Sequence, residues 1–234
     1  MNIWQKAWFA WQLRQGIRFC PKEVQHWLQD LPPLKMALQE VSFLALDFET
    51  TGLNPKQDAI LSMGWVPVTG GRIQPGQGAH WIVQSPQTHK GLEEESIKIH
   101  GITHQAMLKG IPLPQALQAL WRALRGSGNY SRIPLVHFAR IEKQFLAAAC
   151  QSQYGCCPPL AMVDTFDLAL RQFPVHTAID SSQFRLARLR EKYHLPPAPP
   201  HHALEDAIAT AELFLAQLKY RQDADRLVLS DLLV

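Results

Sequence analysis

Along the 234 residues the hydrophobic pattern changes period several times, and these changes divide the chain. Near the N-terminus, Trp4, Trp8 and Trp11 recur at i, i+4 and i+7, which places them on one helix face. Pro21 can open a second helix with Val24, Trp27 and Leu28 as its apolar stripe, and Pro32-Pro33 interrupts it. From Ser42 the period shortens. Phe43-Leu44-Ala45-Leu46 is an apolar run of strand length that ends in Asp47-Phe48-Glu49, and a turn-rich Thr-Thr-Gly-Leu-Asn-Pro follows. Residues 59–68 and 80–84 predict two more strands, with a hairpin turn at Gly70-Gly71. Three strands in succession imply an antiparallel meander.

Helical spacing then dominates. Ala116, Leu117, Leu120, Trp121 and Leu124 share a face, and Gly126 is a plausible stop. Residues 133–136 predict a short buried strand, and 141–149 a helix. Met162-Val163 predicts another edge of the sheet, with a helix from about Thr165. A further helix is predicted at 184–193, a stiff linker at Pro196, Pro197, Pro199 and Pro200, and a long helix at 203–219. The pattern is that of an α/β fold, a mixed sheet of meander and parallel strands flanked by helices. It divides into a Trp-rich helical extension (1–40), a main domain (41–222) and a C-terminal tail (223–234). The tryptophans are expected to dock on the main domain. The alternatives are a partner surface and an interfacial membrane helix, the latter suggested by Lys6, Arg14, Arg18 and Lys22.

Composition narrows the function. Apolar residues make up 47% and charged residues 18%, which excludes wholesale disorder. Lys and Arg number 23 and Asp and Glu 20, a net charge of +3, so any nucleic-acid contact must be local. No apolar run reaches the roughly 18–20 residues of a membrane span, and Lys6 and Arg14 interrupt any signal-peptide pattern. Cys20, Cys150, Cys156 and Cys157 form no CxxC pair. That spacing argues against a zinc site and fits a reducing compartment, by default the cytoplasm.

The chemistry-bearing residues fall in three places. Asp47 and Glu49 stand at i and i+2, so in a strand they point to one side. Two like charges there need a cation between them, or one must hold a proton. Carboxylate oxygens suit a hard divalent ion such as Mg²⁺. In His201-His202-Ala203-Leu204-Glu205-Asp206, Asp206 falls in the first two turns of the C-terminal helix and can reach such an ion. His201 precedes that helix, and imidazole suits general-base work on the attacking water. Capping of the helix dipole is the competing reading, and for Glu205 the preferred one. In Val136-His137-Phe138-Ala139-Arg140-Ile141-Glu142 a strand passes into a helix and can deliver one more carboxylate, Glu142, which taken alone reads as a solvated helix residue. Arg185, Arg188, Arg190 and Lys192 are spread around their helix, so a solvated face is favoured over a phosphate-binding edge.

Together these segments resemble the DEDDh 3′–5′ exonuclease superfamily, with its ribonuclease H-like fold, and look most like the epsilon proofreading subunits of bacterial replicative DNA polymerase. The run Asp47-Phe48-Glu49-Thr50-Thr51-Gly52-Leu53 matches the family's first motif, and His201-x-Ala203-x-x-Asp206-Ala207 its third. The resemblance covers about residues 42–220 and takes in His100-Gly101-Ile102-Thr103 and Val163-Asp164-Thr165. It implies stepwise hydrolysis of single-stranded nucleic acid, DNA favoured, from its 3′ end to nucleoside 5′-monophosphates. It further implies two Mg²⁺ or Mn²⁺ ions held by Asp47, Glu49, Asp206 and Glu142, with His201 as general base. Thr50, Leu53 and His100 match positions that contact substrate. A DNA polymerase or another replication or repair protein is the partner class implied.

The second motif departs from the pattern. Where the family has His-Asn-Ala-x-Phe-Asp, this chain reads His137-Phe138-Ala139-Arg140-Ile141-Glu142. The negative charge survives on a side chain one methylene longer, so the geometry must adjust. Two rival readings follow: an RNA-trimming exonuclease, and a non-catalytic binding module whose second motif has decayed.

Overall fold

A computed structural model describes residues 20–84, 101–172 and 180–234. The strands are β1 (Phe43–Thr50), β2 (Ile60–Thr69), β3 (Arg72–Ile73), β4 (Ala79–Gln84), β5 (Ile111–Pro112), β6 (Ile133–Val136) and β7 (Val163–Asp164). The helices are α1 (Lys22–Gln29), α2 (His104–Leu108), α3 (Leu113–Arg125), α4 (Arg140–Tyr154), α5 (Thr165–Leu170), α6 (Leu186–Lys192), α7 (Ala203–Lys219) and α8 (Leu229–Leu232). The strands form one mixed sheet in the order β5-β4-β2-β1-β6-β7, with β3 paired to β2. β1, β2 and β4 are the antiparallel meander, and β6 and β7 add in parallel beside β1. No described helix is long and apolar enough to cross a membrane.

β1 is apolar on both faces because helices cover both. Leu44, Leu46 and Phe48 pack in a core with Trp27, Trp121 and Phe145. Phe43 and Ala45 pack on the other side with Ala211 and Phe214 of α7. The strand period then decides where the acidic residues go. Asp47 and Glu49 continue the row of Phe43 and Ala45, so they face the helix that carries Asp206.

Some boundaries differ from expectation. α4 runs to Tyr154, beyond the expected 141–149, because Cys150 is still buried and the left-handed stop comes at Gly155, φ 68°. The expected helix at 184–193 is divided. Asp180 accepts a bond from the Ser182 amide and opens a 3₁₀ turn, Ser181–Phe184, and Arg185 is extended before α6 begins. β3 and β5 are two residues each, too short to leave a periodic signal. The tryptophan face at Trp4, Trp8 and Trp11 lies outside the described residues.

Both described flanks contribute to the main cores. Trp27 of α1 packs against Trp121 of α3 with ring centres 5.2 Å apart, and its indole N–H donates to the Arg132 carbonyl at 3.0 Å. In the tail, Leu227, Leu229, Leu232 and Leu233 are buried, with single bridges joining Val228 to Ala37 and Leu233 to Val163.

Candidate active site

β1 and the first turns of α7 bring Asp47, Glu49 and Asp206 together. One carboxylate oxygen from each lies within 4.8 Å of the other two. Two local features make this approach possible. β1 has a bulge between Glu49 and Thr50, which ends the regular pairing where the acidic pair is presented. Opposite Asp47, the partner on β2 is Gly64. A β-carbon built there would fall 2.1 Å from the Ala203 carbonyl carbon and the Leu204 nitrogen. The α7 backbone therefore rests directly on β2, and the missing side chain sets the depth at which Asp206 enters. Gly64→Ala is expected to push the start of α7 outward and to cost roughly 1–3 kcal/mol of stability. The displaced Asp206 should lower turnover by about 10²-fold, the effect of a small misplacement. Thermal unfolding and hydrolysis measured side by side check this; full turnover would show that α7 is not held by this contact.

The cluster is electrostatically unfavourable by itself. Burial holds the Asp47 carboxyl well above its ordinary range, and the negative charges of Glu142, Glu49 and Asp206 push the same way. Asp206 is raised by burial and by Glu49, against the opposing backbone amides of His201 and His202. Such a donor set, all hard oxygen and strained by like charges, fits a divalent cation.

Glu142 lies in the first turn of α4 and is buried, contrary to the solvated position that the residue alone suggests. It stands outside the group of three converging carboxylates. Its Oε2 is buried without a hydrogen-bond partner, and burial followed by the nearby Asp164 charge pushes its pKa up to about 8. A raised carboxyl favours folding below the ordinary Glu range and loses that advantage as pH rises through the shifted value. Metal-free protein is therefore expected to lose stability between about pH 4.5 and 8. Glu142→Gln should raise the apo melting temperature at pH 8 by roughly 2–8 °C. Turnover should fall strongly if Glu142 works in the site, and Glu142→Asp should keep part of it. Calorimetry at pH 5 and pH 8 with parallel assays in Mg²⁺ and Mn²⁺ separates these effects. An apo melting temperature at pH 8 that does not move would refute the buried-charge account, and full turnover in Glu142→Gln would remove Glu142 from the site.

Asp164 is the residue whose role sequence reasoning missed. Its carboxylate accepts from the amides of Phe138 (2.8 Å), Ala139 (2.9 Å) and Phe166 (2.9 Å). It thus ties the β6–α4 turn to the start of α5. Beside it, His137 bonds the Thr165 hydroxyl through Nδ1 at 2.8 Å, and burial lowers its pKa to about 4. His137 is therefore neutral at pH 7. An Asp directly ahead of a short helical run is a capping signal that locates this residue. Gly64, a lone glycine inside an apolar strand, is likewise a signal of close backbone approach.

His201 precedes α7 in the left-handed region, φ 66°, with its side chain exposed. Its amide donates to Asp206 Oδ2 at 2.9 Å, so one residue both fixes the third carboxylate and presents an imidazole beside it. His202 points elsewhere. Its Nδ1 faces the Glu205 amide at 3.4 Å as the cap of α7, and its ring packs on His80 at 4.2 Å.

Thr50 ends β1, and its hydroxyl donates to the Gly52 carbonyl at 2.7 Å. The following turn is closed by Asp58, which accepts from the Asn54 amide and the Thr51 hydroxyl. This frame holds Leu53 75% exposed. His100 lies outside the described residues. A cleft of about 960 Å³ opens from the carboxylates and is lined by Asp47, His137, His201, Asp206, Pro197 and Arg185 among others. Of the basic group, Arg188 pairs with exposed Glu191, whereas Arg190 is buried and bonds Ala209, Pro196 and Glu212. Arg185 is exposed on the cleft wall.

The fold and this acidic cluster define a class. The sequence profile of the RNase_T family, described as Exonuclease, matches residues 44–214, so the chain belongs to that exonuclease family. It is a member of the DEDD exonuclease superfamily, whose enzymes depend on divalent metal. It is 28% identical to Ribonuclease T of Haemophilus ducreyi over 76% of this chain and 85% of that protein. It is also 28% identical to the PolC-type DNA polymerase III of Thermotoga maritima over 75% of this chain, a match covering 12% of that longer protein. Among solved structures, the nuclease domain of 3′hExo, a DEDDh family member bound to rAMP, has a TM-score of 0.64 and 20% identity, covering 79% of this chain and 94% of that one. That likeness shows the shared ribonuclease H-like fold.

Proposed function

We propose that the chain is a 3′–5′ exonuclease that removes nucleotides one at a time from single-stranded nucleic acid, DNA favoured, and releases nucleoside 5′-monophosphates. The convergence of Asp47, Glu49 and Asp206 at the mouth of a cleft, with His201 beside them, is the observation that carries this reading. Asp47, Glu49 and Asp206 would hold two Mg²⁺ or Mn²⁺ ions, with Glu142 completing the site directly or through water. When bound, the ions lower the pKa of the attacking water and neutralise charge that develops at phosphorus and on the leaving 3′ oxygen. His201 takes the proton from that water. Leu53 wedges against the terminal base, Thr50 contacts the terminal nucleotide through its backbone, and His100 joins the substrate contacts. Residues 41–222 carry the chemistry, and the described flanks, 20–40 and 223–234, brace it.

A second reading, RNA trimming, is favoured by relatives named Ribonuclease T. A polymerase or other replication or repair partner is supported by the PolC-type relatives, and a cytoplasmic setting by the sparse, irregular spacing of Cys20, Cys150, Cys156 and Cys157. The decisive experiment compares 5′-labelled DNA and RNA of one sequence, each with a free or phosphorylated 3′ end, in Mg²⁺, Mn²⁺ and chelator. A ladder shortening from a free 3′ end only in the presence of metal is expected. Cleavage in chelator, or from blocked ends alone, would overturn the assignment.

A further inference from the structure

Phe138 is in an unfavourable position for a phenylalanine. Its φ is 72°, in the left-handed region that Gly and Asn occupy readily and bulky residues avoid. The residue is 40% exposed, so core packing does not demand it. The surroundings nevertheless fix it. Asp164 holds its amide, and the ring stands edge-on to Phe166 at 5.1 Å, which in turn stands edge-on to buried Phe184 at 5.6 Å. A costly backbone held by its neighbours, with an aromatic left in solvent, points to a function for the ring.

Its place in the fold says which function. β6 runs parallel to β1 with Phe43 opposite Ile133 and Ala45 opposite Leu135. β6 ends at Val136, so Phe138 follows the carboxyl end of a strand that runs parallel to β1, the place where open α/β sheets bind ligands. His137, the preceding residue, lines the cleft. So does Arg185, which follows Phe184 at the base of the same aromatic ladder and gives that wall a cation.

We infer that Phe138 is a stacking platform for an unpaired base of the substrate strand, next to the nucleotide being removed, with the strand's phosphate backbone drawn along the Arg185 wall. The inference rests on the exonuclease reading and adds to it a requirement for a strand whose bases are unstacked near the 3′ end. A flat aromatic face accepts any base, so the contact raises affinity with little sequence preference.

The test uses the full chain and three variants, Phe138→Ala, Phe138→Asn and Phe138→Trp. The substrates are a ten-residue thymidine oligonucleotide and p-nitrophenyl thymidine 5′-monophosphate, which has no second base. Phe138→Ala and Phe138→Asn are expected to raise KM for the oligonucleotide about tenfold, within the range of base–aromatic stacking. The change on the mononucleotide ester should stay under about twofold on the same argument. Phe138→Trp should restore the oligonucleotide KM. Phe138→Asn should melt no lower than wild type, since Asn tolerates the left-handed backbone. A merely structural phenylalanine gives a different pattern, either equal losses on both substrates or no loss on either, and each overturns the inference. If the wild-type chain hydrolyses neither substrate, the DNA exonuclease reading fails separately. Fluorescence anisotropy with the oligonucleotide then decides the stacking claim: weaker binding in Phe138→Ala and Phe138→Asn, restored in Phe138→Trp, upholds it, and unchanged binding removes it.

Discussion

Replacing Asp47 with asparagine is expected to reduce hydrolysis by about 10³-fold or more, the scale of losing a major electrostatic contact to the reacting phosphate. The substitution keeps the volume and removes one charge from a group of three that lie within 4.8 Å. Without a cation that charge is a liability. Asp47 is half-buried beside Glu142, Glu49 and Asp206, and its proton is held above the ordinary carboxyl range. The stability sign follows. A raised carboxyl supports folding below its unfolded pKa and stops doing so as pH rises through the shifted value. At pH 7–8 the metal-free Asp47→Asn protein should therefore melt at or above wild type. Adding Mg²⁺ should raise the wild-type melting temperature, because a ligand that binds only the folded state stabilises it, and should raise the variant's much less. Opposite signs in activity and apo stability distinguish a residue placed for metal from one placed for folding. Undiminished turnover in the variant, or full wild-type turnover in excess chelator, would remove the metal assignment.

The same acidic strand shows how much of the molecule was legible in the sequence. A continuous apolar run ending in Asp-x-Glu identified β1 and fixed which two residues share a face, because strand period leaves no freedom there. The long C-terminal helix was equally legible from its spacing. What the sequence withheld is distance. Nothing in residues 60–69 says that Gly64 faces Ala203, although a glycine inside an apolar strand signals that some backbone passes close. Glu142 shows the limit of local pattern. Its neighbours Arg140 and Lys143 read as a solvated first turn, yet packing buries the carboxylate. The division of 184–193 was also hidden, because a 3₁₀ turn capped by Asp180 and a short helix share the apolar spacing of one longer helix. The Gly64 contact is with a residue 139 positions away, and the extended backbone of Arg185 that divides 184–193 is a dihedral that apolar spacing does not encode.

His201→Ala is expected to lower turnover by roughly 10²–10⁴-fold, the usual contribution of a positioned acid–base group. Metal affinity should change little, because the bond that orients Asp206 comes from the His201 backbone amide and survives the substitution. The backbone at this residue adds a control. At φ 66° an alanine is strained where histidine and asparagine are better tolerated. His201→Asn should therefore show the same loss of turnover with less loss of stability. A loss confined to the alanine variant would mean that the dihedral, and not the imidazole, matters. His202 provides the contrast within the same dipeptide. Its ring caps α7 and packs on His80, so His202→Ala should cost about 1 kcal/mol of stability and leave most activity in place. Single-turnover rates, metal titrations by calorimetry and melting curves on the three variants give the comparison. A severe loss in His202→Ala with near-normal His201→Ala would show that the second imidazole faces the substrate, and the register assigned to this motif would be wrong.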